Sequence, residues 1–320
     1  MSILFAFFYL ITIIFSLLTI IIIVHHCHSQ RWSIVSLLTC NSCISLLVYT
    51  ISFCIQFSSL IQNTSLNSEN KNKFSCKIVA CLGTFGVTIL SYSSMIQAIS
   101  RFFIIILYKY QILLTFRIHW IMIIISWIVS GIIAGSLLIS PVAYQYEDES
   151  RVCALTRKNF LISFLSIIFI FIFPMIIITI LYGIIIWHIK QHNRIDVRST
   201  NILRAKRNIT VFKNIFIFTS ILGIGGTPYL ISTIVNRIVP IPWPLYSISF
   251  LFIACTSAIG SIAILLTNVQ SKAIFCTKFR RRCRQGIVIK KPRNKKLIKI
   301  NPIAVYYNKT DEIEILPANN

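Results

Sequence analysis

The chain has 320 residues, 56% of them hydrophobic and only 12% charged, about half the charged share of an ordinary soluble domain. Lys and Arg outnumber Asp and Glu 31 to 8, a formal charge of +23. That charge suits a nucleic-acid binder, but the apolar content excludes it. A soluble fold of this composition would expose large apolar patches, and a disordered basic chain would lack the apolar mass. A polytopic membrane protein with basic ends remains.

A bilayer core needs roughly 20 apolar residues per helix. In chain order the predicted spans are 3–24, 34–57, 78–108, 118–141, 160–189, 210–235 and 244–267. The first lacks a basic flank and is too long for a signal peptide, so it reads as an anchoring helix. Basic residues set the orientation. Arg31, Arg101, Lys109, Arg117, Lys190 to Lys213 and the tail from Lys272 lie on one side, 24 of the 31. That side is expected to be cytoplasmic. Seven spans then place the N-terminus outside and the C-terminus inside, as expected of a multi-pass plasma-membrane protein. Almost no ectodomain precedes the first span, so a large protein ligand is not expected.

The eight acids (Glu69, Glu147, Asp148, Glu149, Asp196, Asp311, Glu312 and Glu314) all fall in loops or the tail. Spans without carboxylates argue against ion-coupled transporters and pumps. Intramembrane hydrolysis needs an acid–base or nucleophile–base set, and no HExxH, P-loop or GxSxG motif occurs. The reading is therefore not an enzyme, and no cofactor or metal is implied. A transporter or channel is disfavoured.

Cys76 stands at the outer end of span three and Arg101 at its inner end, 25 residues on. That is roughly 37 Å of helix, enough to cross a bilayer. A second outer cysteine, Cys153, lies between spans four and five. Trp127 sits in span four, Pro174 and Tyr182 in span five, and Pro228-Tyr229 in span six. In this order the set resembles the rhodopsin-like G-protein-coupled receptors, in a divergent form, and the resemblance covers all seven spans. It implies an all-α, seven-transmembrane-helix bundle over 1–285, with a short amphipathic eighth helix near 271–284. Residues 286–320 read as a basic, disordered cytoplasmic tail.

The resemblance assigns roles residue by residue. Cys76 and Cys153 would form a disulfide tying the second outer loop to span three; the plain alternative is two small buried thiols. Arg101, within Ser100-Arg101-Phe102, takes the place of the arginine that meets a heterotrimeric G protein; the plain alternative is a snorkelling interface arginine. Tyr182 would meet Arg101 in the active state, against a plain role in the aromatic belt. Pro228 would hinge span six. Trp127 reads as packing. Asn208 occupies the inner position of span six where the family often carries an acid. With Ser100 and Asn208 both neutral, Arg101 is expected to be held only by neutral hydrogen bonds, such as those to Ser100 or Asn208, with high basal signalling as the consequence.

The departures are specific. Gly226 replaces the aromatic two residues before Pro228. Leu46 replaces the span-two acid, so the family's sodium site is absent. Gly260-Ser261-Ile262-Ala263-Ile264 keeps none of the span-seven Asn-Pro-x-x-Tyr motif. This last loss motivates the alternative of a divergent chemosensory or atypical receptor with weak or no G-protein coupling.

Gly83 stands where amine receptors carry an Asp. With Thr84, Val87, Ser166, Gly226, Tyr229, Thr233 and Phe250 it would line an apolar pocket with hydroxyl donors. That suits a neutral or lipophilic small molecule. The acidic run 147–149 reads first as a solvated loop, with attraction of a short basic peptide as the functional alternative. Asn63-Thr64-Ser65 is a glycosylation sequon. Cys276 and Cys283 are palmitoylation candidates. Thirteen basic residues from Lys272 to Lys309 would bind anionic lipid.

Overall fold

The computed structural model describes residues 2–29, 33–63, 74–140, 142–147, 152–155, 159–192, 201–235, 239 and 243–267. Helix α1 spans Ser2–Ser29, α2 Ile34–Asn63, α3 Phe74–Ile105 and α4 Phe116–Ile139. A hairpin follows, with β1 at Tyr144–Glu147 and β2 at Val152–Leu155. Next come α5 (Phe160–Ile167), a π-helical turn (Ile168–Ile172) and α6 (Phe173–His192), which together form one span. Helices α7 (Asn201–Val235) and α8 (Trp243–Thr267) complete the series. Among the described residues, six helices are long and apolar enough to cross a membrane, and the stretch Thr219–Val235 of α7 adds a shorter apolar helix. The chain is a multi-pass membrane protein whose helices are consistent with a seven-helix bundle.

Several helices outrun the predicted spans. α3 starts at Phe74 and α7 at Asn201, ahead of 78 and 210. Hydropathy marks only the hydrocarbon slab, whereas backbone hydrogen bonding continues into the interface. The short hairpin is an addition to the all-α bundle that the sequence did not show. Tyr144 pairs with Leu155 and Tyr146 with Cys153 in antiparallel register. The period of two puts these four on one face, packed on Cys76 and Ala80 of α3. The predicted eighth helix, Cys276, Cys283 and the tail lie outside the described residues.

Polarity, more than apolarity, marks the inward faces. On α1 the buried positions Tyr9, Thr12, Ser16, Thr19 and Ile23 recur every three or four residues, while Ile3, Phe7, Leu10, Ile14 and Ile21 are exposed. Lipid solvates the large aliphatics, and small hydroxyl residues let helices approach. Thr12 and Ser257 of α8 meet at 3.4 Å. A buried network ties α2, α3 and α4. Asn41 Nδ2 donates to Ser93 Oγ (2.8 Å), Ser42 Oγ meets Ser93 Oγ (3.0 Å), and Gln97 Nε2 donates to Ser42 Oγ (2.5 Å). Trp127 Nε1 donates to Asn41 Oδ1 at 3.0 Å. Trp127 is thus a polar tie between helices as well as packing, because a buried indole N–H needs an acceptor.

Pro174 predicts a kink, and the π-helical turn is the local solution. Proline cannot donate to the carbonyl five residues back in a π turn, which is that of Phe169. Tyr92 Oη of α3 donates to the Phe169 carbonyl at 3.3 Å. The helix defect is therefore satisfied by its neighbour.

Candidate functional site

A cavity of about 230 Å³ opens among α2, α3, the α5–α6 span, α7 and α8, with β2 contributing Ala154 and Leu155. Of the pocket residues expected from sequence, Gly83, Thr84, Val87, Gly226, Tyr229, Thr233 and Phe250 line it. Ser166 does not. Ser163, Ile167, Ile170 and Phe171 form the lining face of that span. Ser166 is buried away from the cavity, its hydroxyl on the Ile162 carbonyl at 2.6 Å. One residue of phase is 100° of helix, more than family counting resolved.

The hairpin is held over the cavity by covalent and polar ties. Cys76 of α3 and Cys153 of β2 are disulfide-bonded, with Cα atoms 5.4 Å apart. Gln56 Nε2 donates to the Cys153 carbonyl at 3.4 Å. The Gln56 amide lies against Gly83, in the space a Cβ there would need. Gly83 therefore has a packing reason beyond the lack of an amine-binding acid: it seats the glutamine that meets the hairpin. Tyr144 Oη donates to the Ala134 carbonyl of α4 at 3.2 Å. Burial pushes the Tyr144 phenol above its ordinary range, keeping that donor protonated.

The expected hydroxyl donors need correction. Thr84 donates to the Ala80 carbonyl (3.0 Å) and Thr233 to the Tyr229 carbonyl (2.9 Å). A hydroxyl has one proton and two lone pairs, so these groups offer a ligand only lone pairs. One side of the cavity is aromatic. Tyr49 packs on Phe53 (centroids 4.7 Å), Phe53 lies 6.5 Å from Phe250, and Phe250 meets Tyr229 at 5.3 Å. Phe171, set by the π turn, comes within 3.1 Å of where a Gly226 Cβ would stand. The aromatic missing from α7 is thus replaced in space by a ring from the neighbouring span. Sequence reasoning missed Gln56, Tyr49, Ser163 and Phe171, since no motif marks any of them.

At the end of α3 opposite the disulfide, Arg101 is buried, and its Nε has no hydrogen-bond partner among the described residues. Ser100 does not hold it. The Ser100 hydroxyl instead meets His119 Nε2 of α4 at 2.9 Å, and His119 Nδ1 faces the Thr115 carbonyl at 3.0 Å. A carbonyl only accepts, so Nδ1 carries the proton and Ser100 donates to Nε2. His119 is fully buried, and its competition for Ser100 was not visible without the α3–α4 packing. Tyr182 of α6 lies within electrostatic reach of Arg101 and beside Thr219 of α7. Phe102 packs with Tyr182 on the cluster of Ala98, Ile178 and Ile185. Asn208 is on α7, with its side chain outside the described residues. Pro228 lies within α7, one turn below Ser232, whose hydroxyl meets Ser249 of α8 at 3.1 Å. Asn63 is the last residue of α2.

A membrane helix bundle with a cavity under a disulfide-tied hairpin, and a buried arginine at the other end of the helix bearing that disulfide, has the features of a transmembrane receptor. The profile of the seven-transmembrane receptors of the rhodopsin family matches residues 17–271, and the chain belongs to that family. It is a family of G-protein-coupled receptors, not of enzymes. Among curated proteins, none matches the chain in sequence.

Proposed function

We propose that this receptor couples an extracellular ligand, a neutral or lipophilic small molecule or short peptide, to a heterotrimeric G protein. The observation that carries the reading is Arg101: a buried guanidinium with Nε unpartnered, beside Tyr182, at the inner end of the helix whose outer end lines the cavity. An unpaired buried charge is costly, and a G protein docking at that end would supply acceptors. Ligand contact at Gly83 and Thr84 and partner contact at Arg101 then share one rigid element, α3. The orientation that fits places the N-terminus outside and the C-terminus in the cytoplasm. Residues 286–320 and the eighth helix, with Cys276 and Cys283 acylated, would lie on the inner leaflet and meet anionic lipid.

The test is Arg101→Ala in a reconstituted nucleotide-exchange assay across the major G-protein classes. Exchange above background in the parent, lost in the variant, is the expected result. Equal exchange in both would overturn the coupling. A second reading, an atypical receptor with weak coupling, draws on the missing span-seven motif; it predicts background exchange in both.

A further inference from the structure

Nine hydroxyls of the cavity divide into two sets by where their protons go. Six lining hydroxyls, those of Thr84, Ser91, Ser94, Thr233, Thr256 and Ser257, donate to carbonyls of their own helices at 2.8 to 3.1 Å. They present lone pairs only. Three others, Tyr49, Ser163 and Tyr229, line the cavity and make no hydrogen bond to any described residue. They stand on α2, α5 and α7 and are free to donate. No Asp, Glu, Lys, Arg or His is among the described lining residues; besides these hydroxyls the polar lining is Gln56, whose amide donates to the Cys153 carbonyl, and Thr219, whose hydroxyl is buried beside Tyr182, and the remainder of the wall is apolar.

Each property excludes a class of ligand. An ionised amine or carboxylate entering this space would lose its hydration and gain no counter-charge. A pure hydrocarbon would leave Tyr49, Ser163 and Tyr229 dry and unpaired, which is costly for buried hydroxyls. A carbonyl or ether head would satisfy the free donors but leave the lone pairs unused. A hydroxyl head both accepts and donates, so it matches both sets. We propose that the cavity takes an uncharged lipid alcohol, its hydroxyl held by Tyr49, Ser163 or Tyr229 and its hydrocarbon body lying along the aromatic wall. The inference rests on reading this cavity as the receptor's ligand site, and it narrows the ligand from neutral molecules and peptides in general to one head group.

The experiment uses the full chain in lipid nanodiscs and four probes sharing one hydrocarbon: decan-1-ol, decanoate, decylammonium and decane. The probes are compared at equal measured bilayer concentration. The readouts are the thermal unfolding midpoint and the number of bound molecules seen by native mass spectrometry. Decanol is expected to bind at least about tenfold more tightly than either ion and more tightly than decane, tenfold being about 1.4 kcal/mol. Ser163→Ala and Tyr229→Phe are each expected to weaken decanol binding by about threefold to tenfold, about one hydrogen bond. Ser136→Ala, an exposed site on α4, is expected to change nothing. Mass spectrometry of the parent chain needs no variant, so a misfolded mutant leaves the comparison intact. An ion binding as tightly as decanol overturns the proposal, as does decane matching it. Binding of none of the four, or an equal decanol effect in parent and variants, also overturns it. No G protein enters the assay. Head-selective decanol binding alongside flat nucleotide exchange therefore refutes the coupling and leaves the ligand class standing.

Discussion

Gly83 shows how a single residue carries two meanings. Read alone, it denies the cavity an acid. In the structure, its missing side chain makes room for the Gln56 amide beneath the hairpin. Gly83→Leu is expected to push Gln56 off the Cys153 carbonyl and to destabilise the chain by about 1–3 kcal/mol, the usual range for overpacking. A thermal unfolding midpoint unchanged from the parent would refute that seat. The place of Arg101 at the far end of α3 from Cys76 was legible from their 25-residue spacing, because a helix that crosses a bilayer has a set length, while its role is what the family resemblance implies. The release of Ser100 from Arg101 was not, because it depends on His119, a residue 19 positions away brought close only by the packing of α4 on α3. The neutral-restraint idea therefore loses its Ser100 half, and the residue that competes for that hydroxyl is named.

The α5–α6 span is the element where local rule and tertiary context meet. Proline at 174 dictates a broken hydrogen bond, and the chain answers with a π turn whose Phe169 carbonyl is taken by Tyr92. Tyr92→Phe would leave that carbonyl dry. The expected cost is about 1–3 kcal/mol, the penalty of an unsatisfied buried group, read as a lower unfolding midpoint. An unaltered midpoint would show that the turn holds without its neighbour. The same turn sets Phe171 against Gly226. Neither contact is legible from periodicity, which registers only that the stretch is apolar. The hairpin was equally hidden: four-residue strands in an outer loop carry too little alternation to separate from a coil, and their register follows from packing on α3.

Across the whole molecule, topology is the property that charge governs. Lys and Arg concentrated beside alternate loops predict an outward sequon at Asn63 and inward, unmodified sequons at Asn208 (Asn208-Ile209-Thr210) and Asn308 (Asn308-Lys309-Thr310). In eukaryotic expression, Asn63→Gln is expected to abolish a glycosidase-sensitive mobility shift, and the same change at Asn208 or Asn308 to leave it intact. A shift that survives Asn63→Gln would invert the assignment. Receptor class, the approximate extent of the spans and the absence of carboxylates within them were legible in the sequence, because lipid imposes length, apolarity and a cost for buried charge on every span independently of its neighbours. The chemistry of the cavity was decided only by tertiary structure. Whether a serine or threonine offers a proton depends on which carbonyl it already meets, and whether a ring fills a gap depends on which helix stands beside it. Ser163 in place of Ser166, Phe171 across from Gly226, and the division of hydroxyls into spent and free are all consequences of helix phase and contact, which no single strand of residues encodes by itself.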